Sequence, residues 1–131
     1  MGQQQLLLIV LSVLIAGVSV ALGFTIFAAT AASANLDAVI DDLLQLASRA
    51  QLYYHQPELN GAGNSFVNIS MKDISSEAVN SNGVYSIKTA GSARQVVLQG
   101  IGTRDGDGDG TNCTAFIEVF ADSVAITIAN R

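Results

Sequence analysis

Asp105, Asp107 and Asp109 alternate with Gly106, Gly108 and Gly110, and Thr111 follows them. Glycine at every second position lets the backbone curl, so that the three carboxylates aim at one point with the Thr111 carbonyl as a fourth oxygen. That is the ligand pattern of the first half of a calcium loop, and calcium is the ion expected for it. Packed carboxylates repel one another, and a cation or solvent must relieve that repulsion. The position at which an EF-hand carries its bidentate Glu falls on Phe116, so the motif is not a complete EF-hand. Glu118 or Asp122 completes the site if the sheet brings either one round. The competing reading is an acidic hairpin tip, solvated and screened by salt.

No other stretch is as pointed. A single Cys, Cys113, and a single His, His55, leave no His/Cys cluster for zinc and no nucleophile triad. Cys113 reads as a buried thiol acting as a small apolar residue, and His55 as a helix-end residue near the last carbonyls. Asp41 and Asp42 are adjacent on an exposed helix face, and no phosphate-cradling loop occurs, so an enzyme is not expected. Asn68-Ile69-Ser70 and Asn112-Cys113-Thr114 both match the acceptor pattern for N-glycosylation. With 11 acidic against 6 basic residues the net charge is −5, which argues against a nucleic-acid partner.

The elements that must position these residues begin with an apolar run from Leu6 to Ala34. Residues 1–36 contain no Asp, Glu, Lys, Arg or His, so all the charge of the chain lies behind them. A membrane span takes about 20 residues, and this run is longer. The run does not read as a cleaved secretory signal, whose apolar region is shorter and follows basic residues. Leu6 also stands where a myristoylation motif needs Ser or Thr. The lack of basic residues on either flank is explained by a short basic leader already removed, with Met1 as the first mature residue.

Pro57 is the only proline, so one helix is expected from Gln3 to Tyr54, roughly 75 Å long. Its second half is amphipathic: Leu36, Val39, Ile40, Leu43, Leu46, Ala47, Ala50 and Tyr54 recur at helical spacing, with Asp37, Asp41, Gln45, Ser48 and Arg49 opposite. Its first half carries small residues, among them Ser12, Ala16, Gly17, Ser19 and Gly23, that let helices approach closely. Gly17 and Gly23 read as ordinary helix contacts, or as a stretch weakened by about 1 kcal/mol each that unwinds under assembly or tension.

The turn formers of residues 56–65 end the helix. Residues 66–80 read as loop with a short helical turn. Strands are expected at Gly83–Lys88, Gln95–Ile101, Thr114–Phe120 and Ser123–Ala129, in a four-strand antiparallel meander. Val124, Ile126 and Ile128 give the last strand an apolar face expected to cover the stripe from Leu36 to Tyr54. The fold class is α+β: residues 1–35 form the apolar helix, and residues 36–131 the head.

This combination of apolar helix, amphipathic continuation, Gly-rich connection and small antiparallel sheet resembles the type IV pilin family over the whole chain. The resemblance implies a structural subunit that rests in the inner membrane. Assembly machinery extracts it, and it polymerises with copies of itself into a cell-surface or extracellular helical filament. It implies Met1 and Gln5 as assembly residues, and the uncharged helix with its small residues adds Leu11, Ile15, Gly17 and Gly23. The family carries Glu at the fifth mature position, where it attracts the neighbouring subunit's terminal amine. Gln5 stands there and accepts a hydrogen bond without supplying a formal charge. The alternatives are a pseudopilin of a secretion system and a membrane-anchored calcium-binding module that never polymerises.

Overall fold

The computed structural model describes residues 2–57 and 63–131. Met1, expected as the mature terminus, and residues 58–62 of the expected loop lie outside the described residues. The element order is α1 (Gly2–His55), α2 (Met71–Ile74), β1 (Gly83–Thr89), β2 (Gln95–Gly102), β3 (Thr114–Phe120) and β4 (Val124–Asn130).

Helix α1 runs unbroken for 54 residues through Gly17 and Gly23, because no proline interrupts its hydrogen-bond ladder. Its end is closed by the returning chain, as Asn64 N–H donates to the Tyr54 carbonyl (2.9 Å) and Gly63 N–H to that of Gln56 (3.1 Å). Those carbonyls have no partner within the helix itself.

The four strands form one antiparallel sheet in the order β1-β2-β3-β4. Ser123 belongs to the β3–β4 turn and not to the strand, since Phe120 N–H donates to its carbonyl (2.9 Å). The core forms between the amphipathic half of α1 and the inner face of the sheet. Leu36, Val39, Leu43, Leu46, Ala47 and Ala50 pack against Tyr85, Val96, Leu98, Ala115, Ile117 and Val119, with Phe66, Ile69 and Ile74 closing one side. Gly100 on β2 lets the helix approach, because a Cβ there would lie 2.7 Å from Val39 Cγ1 and 3.1 Å from the Tyr85 ring.

One expectation is overturned. The strands that cover the helix stripe are β2 and β3, not β4. Register places Val124, Ile126 and Ile128 opposite Val119, Ile117 and Ala115, so they share the inner face. They lie beyond the width that one helix covers, about 10 Å, and remain about 40% exposed. On the outer face the Lys88 ammonium sits 3.3 Å above the Phe116 ring, and the aliphatic stem and charge of the lysine cover an aromatic that would otherwise face water.

Candidate functional site

From Gly2 to Thr30 every residue of α1 is exposed; Ala32 is the first buried one. By length and composition this half is apolar enough to cross a membrane. Three of its hydroxyls are satisfied internally. The hydroxyls of Ser12, Ser19 and Thr25 donate to the carbonyls of Leu8 (2.8 Å), Ile15 (2.7 Å) and Leu22 (2.8 Å). These three donors then need no water inside an apolar medium. Gln5 is exposed on the first turns, Leu11 is 48% and Ile15 58% exposed. A Cβ at Gly17 or Gly23 would meet no atom within 4 Å. Neither glycine packs against another described residue of the head.

The acidic loop joins β2 to β3 and lies against the point where α1 leaves the head; a Cβ on Gly106 would touch Ala32 and the backbone of Arg131. Asp105, Asp107 and Asp109 can place one carboxylate oxygen each within 4.8 Å of one another. Asp105 is half-buried and the other two are exposed. Each carboxylate also shapes the loop: Asp105 accepts from the N–H groups of Gly108 (2.7 Å) and Gly110 (2.8 Å), Asp107 from Asp109 (3.2 Å), and Asp109 from Thr111 (2.7 Å). Gly108 and Gly110 take φ of 78° and 86°, values that a residue with a Cβ rarely adopts. Hydrogen bonds from Gly110 and Gly108 hold the Asp105 carboxyl below its ordinary range. The Thr111 carbonyl accepts from Asn130 Nδ2 at 3.4 Å.

Neither residue expected to complete the loop reaches it. Glu118 sits mid-strand on the outer face opposite Val97 and Ala125. Asp122 lies in the turn at the far end of the sheet, where its Oδ1 is 4.0 Å from His55 Nε2. Strand β3 separates that turn from the acidic loop.

Asp42 corrects another expectation, because it is half-buried and bonded where Asp41 is exposed. Its Oδ2 accepts from the Tyr85 hydroxyl, from Asn80 Nδ2 (2.8 Å) and from Asn82 Nδ2 (2.9 Å). Partial burial pushes this carboxyl up, but the bonds from Tyr85, Asn82 and Asn80 together outweigh it and the net shift is downward. Burial, and then the bond to Asp42, hold the Tyr85 phenol above its usual range. Seven residues earlier, Asn35 Oδ1 accepts from the N–H groups of Thr103 (2.8 Å) and Arg104 (3.2 Å) and from the Cys113 thiol (3.2 Å), while its Nδ2 donates to Asn82 (2.8 Å). Seven residues later, Arg49 Nη1 donates to the Ile74 carbonyl (3.2 Å). Asn35, Asp42 and Arg49 thus form a polar seam along one border of the apolar stripe, clamping the head to the helix. Cys113 is fully buried, as expected.

The chain matches no family model, no curated protein and no solved structure.

The Asp42 bonds carry a sign for pH. A carboxyl whose folded pKa lies below its unfolded value near 3.8 stabilises the fold above that value and loses the contribution as pH falls through the folded one. The melting temperature of Asp42→Asn is expected to trail that of wild type at pH 6 and to converge on it toward pH 2. Thermal unfolding followed by circular dichroism across that range checks it; a gap that does not shrink in acid counts against the charged bond.

Proposed function

We propose that this protein is a structural subunit that rests in a membrane through residues 2–31 and polymerises, through the same helix, into a helical filament with its heads outward. The observation that carries the reading is an uncharged helical surface, exposed all round over Gly2 to Thr30, continuous with a helix half whose apolar stripe is buried by the head. Left in water, that surface carries a hydrophobic penalty of about 25 cal/mol per Å². Lipid removes the penalty for a single subunit, and a bundle of identical helices removes it outside the membrane. Ser12, Ala16, Gly17, Ser19 and Gly23 provide close approach in such a bundle, where helices gain dispersion contacts that lipid does not supply in fixed geometry. One folded head per helix at its C-terminal end favours a rod with a packed centre and a polar sleeve.

Electron microscopy of material sheared from the surface of producing cells tests the reading. Long fibres containing this chain support it. Short, cell-retained rods favour the secretion-system alternative, and a stable detergent-extracted monomer that forms no fibre overturns polymerisation.

The acidic loop supports a second element of the reading, binding of calcium by Asp105, Asp107, Asp109 and the Thr111 carbonyl, on the convergence of the three carboxylates. With so few ligands the affinity belongs with extracellular modules, roughly 10⁻⁴ to 10⁻³ M. Calcium then stabilises the folded state by mass action, by about 1.4 kcal/mol at ten times the dissociation constant. Chelator is expected to lower the melting temperature, and Asp107→Asn to abolish most of that sensitivity. The absence of any thermal shift at several millimolar calcium removes the ion and leaves a self-bonded hairpin tip.

A further inference from the structure

Of the two tripeptides that match the N-glycosylation pattern, the fold leaves one available and ties the other down. Asn112 Nδ2 donates to the Gly102 carbonyl at 3.1 Å. Cys113 is fully buried, Thr114 is 8% exposed, and the Thr114 hydroxyl donates to the Asn112 carbonyl at 3.0 Å. A transferring enzyme must reach both the amide of the first residue and the hydroxyl of the third, and here the second of these is inside β3. Asn68, by contrast, is exposed at a turn with φ 65°, a left-handed conformation that asparagine tolerates better than most residues. No described residue bonds its side-chain amide. Ser70 is exposed too, and its hydroxyl makes one bond, to Asp73 at 2.8 Å on the surface. Only Ile69 between them is held in the core. The segment that follows is a single helical turn, and so short an element opens locally at little cost.

We propose that Asn68 is the site of an N-linked glycan on this protein and that Asn112 is not. The donor class is an oligosaccharide carried on a lipid pyrophosphate at the extracytoplasmic face of the membrane, and this rests on the proposed function, which puts the head on that side. In the transfer, the Asn68 side-chain nitrogen forms a bond to the anomeric carbon of the sugar. The bond from that carbon to the pyrophosphate oxygen breaks, the electron pair leaves with the lipid pyrophosphate, and one amide proton passes to a base of the enzyme. The glycan then projects from the head beside the β1–β2 turn, since the Phe66 carbonyl lies against Gly91 there. That is away from α1's apolar half, so the modification does not obstruct packing of the helices.

The test is intact-mass and peptide mass spectrometry of the full chain purified from its own cells. The expected result is one oligosaccharide increment on the peptide containing Asn68 and an unmodified Asn112. Asn68→Gln and Ser70→Ala should each lose the increment, Ser70→Thr should retain it, and Asn112→Gln should leave it unchanged. An unmodified Asn68 in the wild-type chain, or a glycan on Asn112, overturns the proposal. Filaments are scored separately by microscopy, so bare filaments would refute the glycan alone, and a glycosylated monomer would refute polymerisation alone.

Discussion

Leu11→Asp or Ile15→Asp is expected to abolish filaments while leaving the head folded. Both positions lie on the half of α1 that no described residue covers, at 48% and 58% exposure, and the proposed assembly encloses them in apolar protein. An unpaired carboxylate there costs several kcal/mol or must take up a proton. Every 1.4 kcal/mol is a factor of ten in an association constant, and the penalty recurs at each subunit added. Filament yield should therefore fall below detection. The same substitution raises the cost of entering the membrane by about 2.5–3.5 kcal/mol, so the membrane fraction must be measured alongside. Normal membrane levels without filaments locate the defect in packing. A wild-type yield of filaments from either variant would falsify the central-helix arrangement.

The second large effect is predicted for the other half of the same helix. Leu43 is fully buried, whereas Leu44, one residue along, is 36% exposed. Leu43→Ala removes side-chain carbons from the middle of the core between α1 and the sheet, and leaves a cavity there. The expected cost is about 2–5 kcal/mol, a large share of the stability of a small domain. At roughly 4–8 °C per kcal/mol for a domain of this size, the melting temperature of residues 36–131 should fall by at least about 8 °C. Leu44→Ala should change stability by no more than about 0.5 kcal/mol. Equal losses at the two positions would mean that the helix is rotated from the orientation described. Leu7→Ala in the full chain, at a site 71% exposed in the single chain, should leave the unfolding of the head unchanged, because residue 7 packs against no described residue of it.

Much of the architecture was legible because its causes are local. The absence of proline before Pro57, the uncharged run through Leu36 and the helical spacing from Leu36 to Tyr54 each act within a few residues. The single helix, its two characters and the α+β fold class follow from them. The strands were legible for the same reason, with period-two alternation and turn formers between them, and their ends moved by only a residue or so.

What the tertiary structure alone decided concerns partners distant in sequence. Which strands cover the helix depends on how wide the sheet is relative to one helix, so the alternation in Val124, Ile126 and Ile128 marked a face without naming its neighbour. Asp42 looks like Asp41 in a sequence. Only the arrival of Asn80, Asn82 and Tyr85 from around 40 residues away makes it a half-buried acceptor. A signal for it did exist, since Asn35, Asp42 and Arg49 are polar at seven-residue spacing on the border of the apolar stripe, but spacing does not say what they bond. Glu118 and Asp122 were drawn toward the acidic loop by closeness in sequence, and strand β3 holds them apart because an extended chain carries its residues away at about 3.3 Å each. The two glycosylation patterns, equal as tripeptides, differ only in that β3 buries one hydroxyl and a surface turn presents the other. Local chemistry thus set the elements of this protein, and long-range contact set which of its polar groups are engaged and which remain free.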